Sequence, residues 1–214
     1  MVAATRRRAA SMADRHLSQG PLANLQLALR AAAPALGETG VWMCERPLRG
    51  AINLRGPDDA AFDMAIRAVL GLEVPREPCR AVVDGEHSLL WLGPDEWLLL
   101  VPPRDLAAVQ RRLLERLAGQ HAAVVDVGDG RAAIGLGGRR ARDLLSHATS
   151  LDLHPRAFGP SHCAQSLFAR VPGLLHQLDD SPAFDLHVPR SFAEYLWTWL
   201  EAVAVEYGLA IVEG

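Results

Sequence analysis

Lysine is absent from this 214-residue chain, whose 22 basic residues are all arginine. That excludes a P-loop lysine, a lysine Schiff base and any other chemistry that needs an amine nucleophile. Cysteine is scarce: Cys44, Cys79 and Cys163 are the full set, and no two of them form a Cys-x-x-Cys pair. Neither a disulfide framework nor a zinc ribbon nor a thioredoxin-like centre is encoded, and reduced thiols in the cytoplasm are expected. No apolar run approaches the ~20 residues that cross a bilayer, so a soluble protein with no membrane partner is expected. A basic field is missing as well, since the net charge is −3, which argues against nucleic acid as a partner. What is present is an ordinary globular composition, 50% hydrophobic and 22% charged, long enough to bury a sizeable core.

Residues 1–19 read as a flexible tail. Arg6, Arg7 and Arg8 stand among alanines with no long apolar stretch, which is not a secretory signal; an arginine-rich transit peptide is the other reading, and Met1 and Met12 are both possible starts. Residues 20–214 read as one domain. A short helix is expected over 22–33, with Leu22, Leu25 and Leu29 on one face and Leu27 off it, stopped by Pro34. Strands are expected over 41–45 and 51–55, a helix over 58–70 with Phe62, Ile66, Val69 and Leu70 on its apolar stripe, and strands over 80–83, 88–92 and 97–101. A helix over 104–117, with Leu106, Val109, Leu113 and Leu117 on one face, completes this half.

The second half repeats the first. Ile52-x-Leu54-x-Gly56 before a helix matches Ile134-x-Leu136-x-Gly138 before a helix, at an offset of 82. Leu72-x-Val74-Pro75 answers Leu151-x-Leu153-His154-Pro155, Cys79 answers Cys163, and Leu89-Leu90 through Trp97 to Val101-Pro102 answers Leu174-Leu175 through Phe184 to Val188-Pro189. Each half, about 41–118 and 122–208, is strand–helix–strand–strand–strand–helix, which predicts an α+β body with pseudo-twofold symmetry, its halves fused for want of a linker. Ile52 and Ile134, like Val101 and Val188, should occupy equivalent positions. The strand pair 122–126 and 131–136, joined by Gly128-Asp129-Gly130, carries a hairpin signal, because Asp-Gly and Gly-Asp turns favour positive φ.

No catalytic, cofactor-binding or metal-binding residue emerges. Gly135-x-Gly137-Gly138 has Arg140 where a dinucleotide loop has its third glycine, and only Gly56 survives in the repeat, so a structural turn is the better reading. His154, His162 and Cys163 can ligate zinc, but their spacing matches no common site and no fourth ligand is evident. Asp126-x-x-Asp129-x-Arg131 places an acid at a turn, where Asp126 either binds an amine or pterin ring or simply caps the strand end. Arg139, Arg140 and Arg142 open one helix and suit a partner's acids or solvent better than nucleic acid. In the last helix Phe192, Leu196, Trp199 and Val203 form the expected core stripe; Trp197 falls off it, and either folds back over the other half or serves an interface.

The runs Gly40-Val41-Trp42-Met43-Cys44-Glu45-Arg46-Pro47, Asn53-Leu54-Arg55-Gly56, Leu92-Gly93-Pro94-Asp95-Glu96-Trp97, Asp152-Leu153-His154-Pro155-Arg156-Ala157-Phe158 and Phe184-Asp185-Leu186-His187-Val188-Pro189-Arg190 through Trp197 resemble the gamma subunit of heterotetrameric sarcosine oxidase. The likeness spans roughly residues 20–208; the tail is longer than that family's, and Gly20 stands where serine is usual before Pro21. It implies a fold related to the folate-binding body of the glycine-cleavage aminomethyltransferase. It also implies alpha, beta and delta subunits as partners in a complex that oxidatively demethylates sarcosine to glycine, with the one-carbon unit passing to tetrahydrofolate. FAD, FMN, NAD and the tetrahydrofolate site would belong to the alpha and beta chains and zinc to delta, leaving this chain non-catalytic. A free-standing aminomethyltransferase-like folate-binding protein is the rival expectation, with Asp126 its nearest acid.

Overall fold

The computed structural model of the chain describes residues 20–31 and 38–214, so the expected tail 1–19 lies outside them. Within the described residues the expected helix over 22–33 is broken; its positions 32 and 33 lie outside them. A 3-10 turn (Ala23–Leu25) is followed by α1 (Leu27–Ala31), because Gln26 between them takes a left-handed backbone with φ 49°. That break re-phases the segment, so Leu22 and Leu27 are buried while Leu29 is exposed.

Two sheets form the body. The first half supplies β2 (Gly50–Arg55), α2 (Ala60–Leu70), β3 (Ala81–Asp84), β4 (His87–Gly93), β5 (Glu96–Val101) and α3 (Leu106–Arg116). The second supplies β7 (Arg131–Gly137), α4 (Ala141–Ala148), β8 (Cys163–Phe168), β9 (Val171–Asp179), β10 (Ala183–Pro189) and α5 (Ala193–Ala204). β1 (Val41–Glu45) and β6 (Ala123–Asp126) each precede their half, and β11 (Leu209–Ile211) is the last strand. The sheet orders are β3-β4-β5-β2-β6 and β8-β9-β10-β7-β1-β11, the same arrangement apart from the added parallel β11.

The leading strands are exchanged. β1, which precedes the first half, pairs with β7 of the second, while β6 pairs with β2 of the first. The registers agree: Ile52 faces Asp126 and Leu54 faces Val124, as Ile134 faces Glu45 and Leu136 faces Met43. Likewise Leu54 opposes Trp97 and Gly50 opposes Val101, as Leu136 opposes Phe184 and Ala132 opposes Val188. The expected equivalences of Ile52 with Ile134 and Val101 with Val188 therefore hold. The expected hairpin over 122–136 does not form. A 3-10 turn (Gly128–Gly130) carries the chain from one sheet to the other, and neither of its glycines has positive φ.

The halves meet about a point between Arg80 and His162, which form a single antiparallel bridge. Ala81 N donates to Ser161 O at 2.8 Å and Cys163 N to Cys79 O at 2.9 Å, a reciprocal pair of the kind a twofold requires. Cys79 and Ser161, at φ 62° and 64°, bend the chain identically on either side. Cys163 thus answers Ala81 and not Cys79. Strand pairing also moves the β4 match by one residue, so that Leu89 answers Leu175 and Leu90 answers His176.

Helices cover the outer face of each sheet. Phe62, Ile66, Val69 and Leu70 of α2 and Val109 and Leu113 of α3 pack on Ile52, Leu54, Leu89 and Leu99, with Leu106 only half-buried. Asp59 caps α2, its carboxylate accepting from Phe62 N at 2.8 Å. On the other side α4 and α5 pack on Ile134, Leu136, Phe184 and Leu186. The inner faces meet through Ala51, Leu90, Leu98, Leu100, Cys163 and Leu174. The result is a four-layer α+β sandwich.

The last helix presents a different face from the one expected. Ala193, Leu196, Trp197, Leu200 and Ala204 are buried, whereas Phe192 is 45% exposed and Trp199 and Val203 are half-buried. Phe192 belongs to a 3-10 turn (Arg190–Phe192) ahead of the helix, so a stripe counted from it starts out of phase. Small Ala193 and Ala204 let the helix approach the sheet closely. Trp197 fills that contact with no exposed surface, its Nε1 donating to Glu201 at 3.0 Å, and so offers nothing for a partner to touch.

Candidate functional site

The glycine-rich run on β7 explains how a site can form on the inner face of the larger sheet. A Cβ on Gly135 would come within 2.5 Å of Arg46 Nε and 2.6 Å of Cys44 Sγ, and one on Gly137 within 2.4 Å of the Trp42 ring. Gly138 has φ +108°, and a Cβ there would come within 2.5 Å of Gly40 O. These glycines clear space for the inward side chains of β1 and the residue after it. Gly56 in the repeat serves a different end: its φ is unexceptional, but the Phe62 ring lies 2.1 Å from where its Cβ would be.

Arg46, seated over Gly135 and 5.7 Å from the Trp42 ring centre, donates through Nε to Asp185 Oδ1 at 2.6 Å. Burial works against the Arg46 charge, but the Asp185 carboxylate outweighs it and holds the guanidinium above its usual range. Asp185 sits on β10 opposite Gly135 and His176, and His187 lies two residues on, so all three side chains point to the inner face. These groups open on a cleft of about 620 Å³ between the sheets. Four arginines line it (Arg46, Arg49, Arg104, Arg131) against two carboxylates (Glu86, Asp185). The cleft is thus locally cationic in a chain whose net charge is −3.

Both histidines are nearly buried and neutral. Burial, reinforced by His187, holds His176 down to about 4, and burial with the Arg131, Arg49 and Arg46 charges holds His187 down to about 3. His187 Nε2 has no hydrogen-bond partner among the described residues. Burial also depresses Arg49 and Arg131, opposed by Asp185 and Glu86 for Arg49 and by Glu96 for Arg131. Arg49 donates to the Glu86 carbonyl.

The repeat makes this polarity conspicuous. The register places Leu90, Leu98 and Leu100 of the first half where the second half has His176, Asp185 and His187. Sequence reading passed over that trio. Its signal was the alternation Phe184-Asp185-Leu186-His187-Val188, set against unbroken leucines in the matching strand.

The side chains singled out from sequence stand elsewhere, Arg131 excepted. Asp126 is exposed, accepts from Gly128 N at 2.9 Å, and does not line the cleft. Arg139 and Arg140 lie exposed before α4, Arg139 paired with Glu38 at 2.6 Å and Arg140 with Asp143 at 2.5 Å while stacking on Tyr207. Arg142 is instead structural: it donates to the Leu153 and Phe158 carbonyls and to Gln177, pinning the loop that follows α4. His162 is held between strand and loop, its Nε2 2.9 Å from the Arg80 guanidinium and its Nδ1 3.2 Å from Gly159 N. The buried Cys163 thiol, raised to about 12 by burial, donates to Arg80 O at 3.2 Å. His154 Nδ1 accepts from Arg156 N.

Residues 55–206 match the model of the "Sarcosine oxidase, gamma subunit family". The sarcosine oxidase subunit gamma of Arthrobacter sp is 30% identical over 158 residues, covering 73% of this chain and 76% of that one. A chain in the heterotetrameric sarcosine oxidase of Corynebacterium sp. U-96, solved in complex with pyrrole 2-carboxylate, superposes with a TM-score of 0.80 at 28% identity, over 89% of this chain and 96% of that one. The glycine-cleavage aminomethyltransferase T of Bartonella henselae shares the fold, with a TM-score of 0.58 at 16% identity, over 90% of this chain but 51% of that one.

Proposed function

Since the chain belongs to the sarcosine oxidase gamma subunit family, we propose that it is the gamma chain of a heterotetrameric sarcosine oxidase, a non-catalytic partner of alpha, beta and delta subunits in the cytoplasm. The observation that carries this reading is the near end-to-end agreement with a chain of the Corynebacterium complex, 89% of one against 96% of the other. The complex would demethylate sarcosine oxidatively to glycine and pass the one-carbon unit to tetrahydrofolate. FAD, FMN, NAD and tetrahydrofolate would be held by the large subunits and zinc by delta.

Residues 20–214 would act as one unit, supported by the exchange of β1 and β6, since cutting between the halves removes a strand from each sheet. Exposed Arg139 and Arg140 are the proposed contacts for acidic groups of a partner. The free-standing folate-binding alternative has less behind it: this chain spans about half of the aminomethyltransferase it resembles, and Asp126 is engaged in its own turn.

Co-expression of the tagged chain with the other three subunits tests the reading. The tagged chain should retain the larger subunits in fixed stoichiometry together with their flavin absorbance. A chain that purifies alone from that co-expression, or that binds flavin by itself, would overturn it.

A further inference from the structure

Buried charge and an unpartnered buried nitrogen are costs that a fold without a ligand has no reason to keep. The inter-sheet cleft keeps both. His187 is 5% exposed, its Nε2 lacks a partner among the described residues, and its position in the other half is held by Leu100. Half-buried Arg131 has only Glu96 acting against its desolvation and forms no ion pair among the described residues. Arg46 is already committed to Asp185, but Arg49 hydrogen-bonds a backbone carbonyl and forms no ion pair among the described residues. Leucine at 187 would fill the same place without either penalty, as Leu100 shows.

We propose that this cleft is a binding site for a small organic carboxylate, held by Arg49 and Arg131 with His187 as the buried hydrogen-bonding group. The volume of about 620 Å³ lies within the ~300–1,000 Å³ of small-ligand sites. Guanidinium groups supply the planar fork that a carboxylate accepts. Neutral His187 can offer Nε2 either as donor or as acceptor, so it can pair with the carboxylate or with a neighbouring hydroxyl. Interspersed with the arginines, Pro47, Leu48, Pro102 and Pro103 give the lining an apolar part, which suits a carbon skeleton and does nothing for an inorganic anion. The lining charges, four cations against two carboxylates, leave an excess that a dianion balances. The site does not depend on the proposed assembly and is tested on the full chain alone.

The experiment is titration calorimetry with succinate, alongside melting curves of the same samples. Inorganic phosphate and an acidic hexapeptide, each at matched ionic strength, are the comparison probes. Succinate should bind saturably and raise the melting temperature. His187→Leu and Arg131→Gln should each weaken that binding roughly tenfold or more. Ligand-free His187→Leu should melt at or above the parent chain, because it installs the residue that the other half uses. A merely structural His187 would instead lower the melting temperature. The proposal fails if succinate shows no saturable binding, if binding is unchanged in both variants, or if His187→Leu melts well below the parent. Phosphate binding as tightly as succinate would mean that the apolar part of the lining is unused and would refute the carboxylate assignment. Binding of the peptide but not of succinate would replace the small ligand with an acidic polypeptide.

Discussion

Trp197→Ala in the full chain should be severely destabilising. The indole is fully buried between α5 and the larger sheet, and its Nε1 donates to Glu201, which also pairs with Arg30. Removing a buried aromatic ring costs ~3–5 kcal/mol through lost burial and the cavity left behind. The lost hydrogen bond adds about 1 kcal/mol at most, since Glu201 keeps its arginine and reaches solvent. With ~2–4 °C per kcal/mol for a chain of this size, a loss of about 4 kcal/mol lowers the melting temperature by roughly 8–16 °C. Phe192→Ala is the control. That ring is 45% exposed, so its truncation should cost about 1 kcal/mol or less and move the melting temperature by only a few degrees. Trp197→Phe should fall between them, keeping most of the ring volume and losing the N–H. Thermal melts followed by circular dichroism decide the matter. If Trp197→Ala melts within about 1 °C of the parent while Phe192→Ala drops sharply, the helix buries the face counted from Phe192 and Trp197 is not a core residue.

Acid should weaken the fold early. His176 is held to about 4 and His187 to about 3, against 6.5 in an unfolded chain, so above pH 6.5 both states carry them neutral and stability is complete. As the pH falls from about 6.5 toward 4 the unfolded chain takes up protons that the folded chain refuses. The loss is about 2 kcal/mol per histidine by about pH 5. Urea midpoints at pH 7 and pH 5 measure it, and His187→Leu should remove about half the drop; equal midpoints in the parent chain would refute it. The thiols should separate by burial. Cys79 is half-buried and should react with a thiol reagent in the native chain, whereas Cys44 and Cys163, whose pKa values burial raises, should react only on unfolding. Rapid native labelling of Cys163, read by peptide mass mapping, would contradict the packing around Arg80 and Trp91.

Much of the fold was legible because its signals are local. β1, β2, β5, β7 and both helices of the first half fall within about two residues of their expected bounds, since alternation, capping acids and turn residues act within a few positions. The repeat was legible too, for two copies of one unit must bury the same positions. Ile52 and Ile134 therefore read as equivalents without a structure. The resemblance in long runs such as Asp152 to Phe158 pointed to the family that the comparisons then bore out.

Where the strands go was a tertiary decision. Gly128-Asp129-Gly130 has the composition of a hairpin turn, yet it carries the chain between sheets, because β2 and β7 each find their partner in the other half's leading strand. No local rule separates a strand that pairs with its neighbour from one that pairs some seventy residues away. The core face of α5 was decided the same way. Period alone allows a stripe through Phe192 or one through Trp197, and the close approach permitted by Ala193 and Ala204 selects the second. The assembly of the cleft belongs to the tertiary level. Arg46, Arg131, His176 and His187 come from separate strands and loops and share no spacing in sequence. Only the facing of two sheets about a pseudo-twofold, with histidines where the other half has leucines, gathers them around one space.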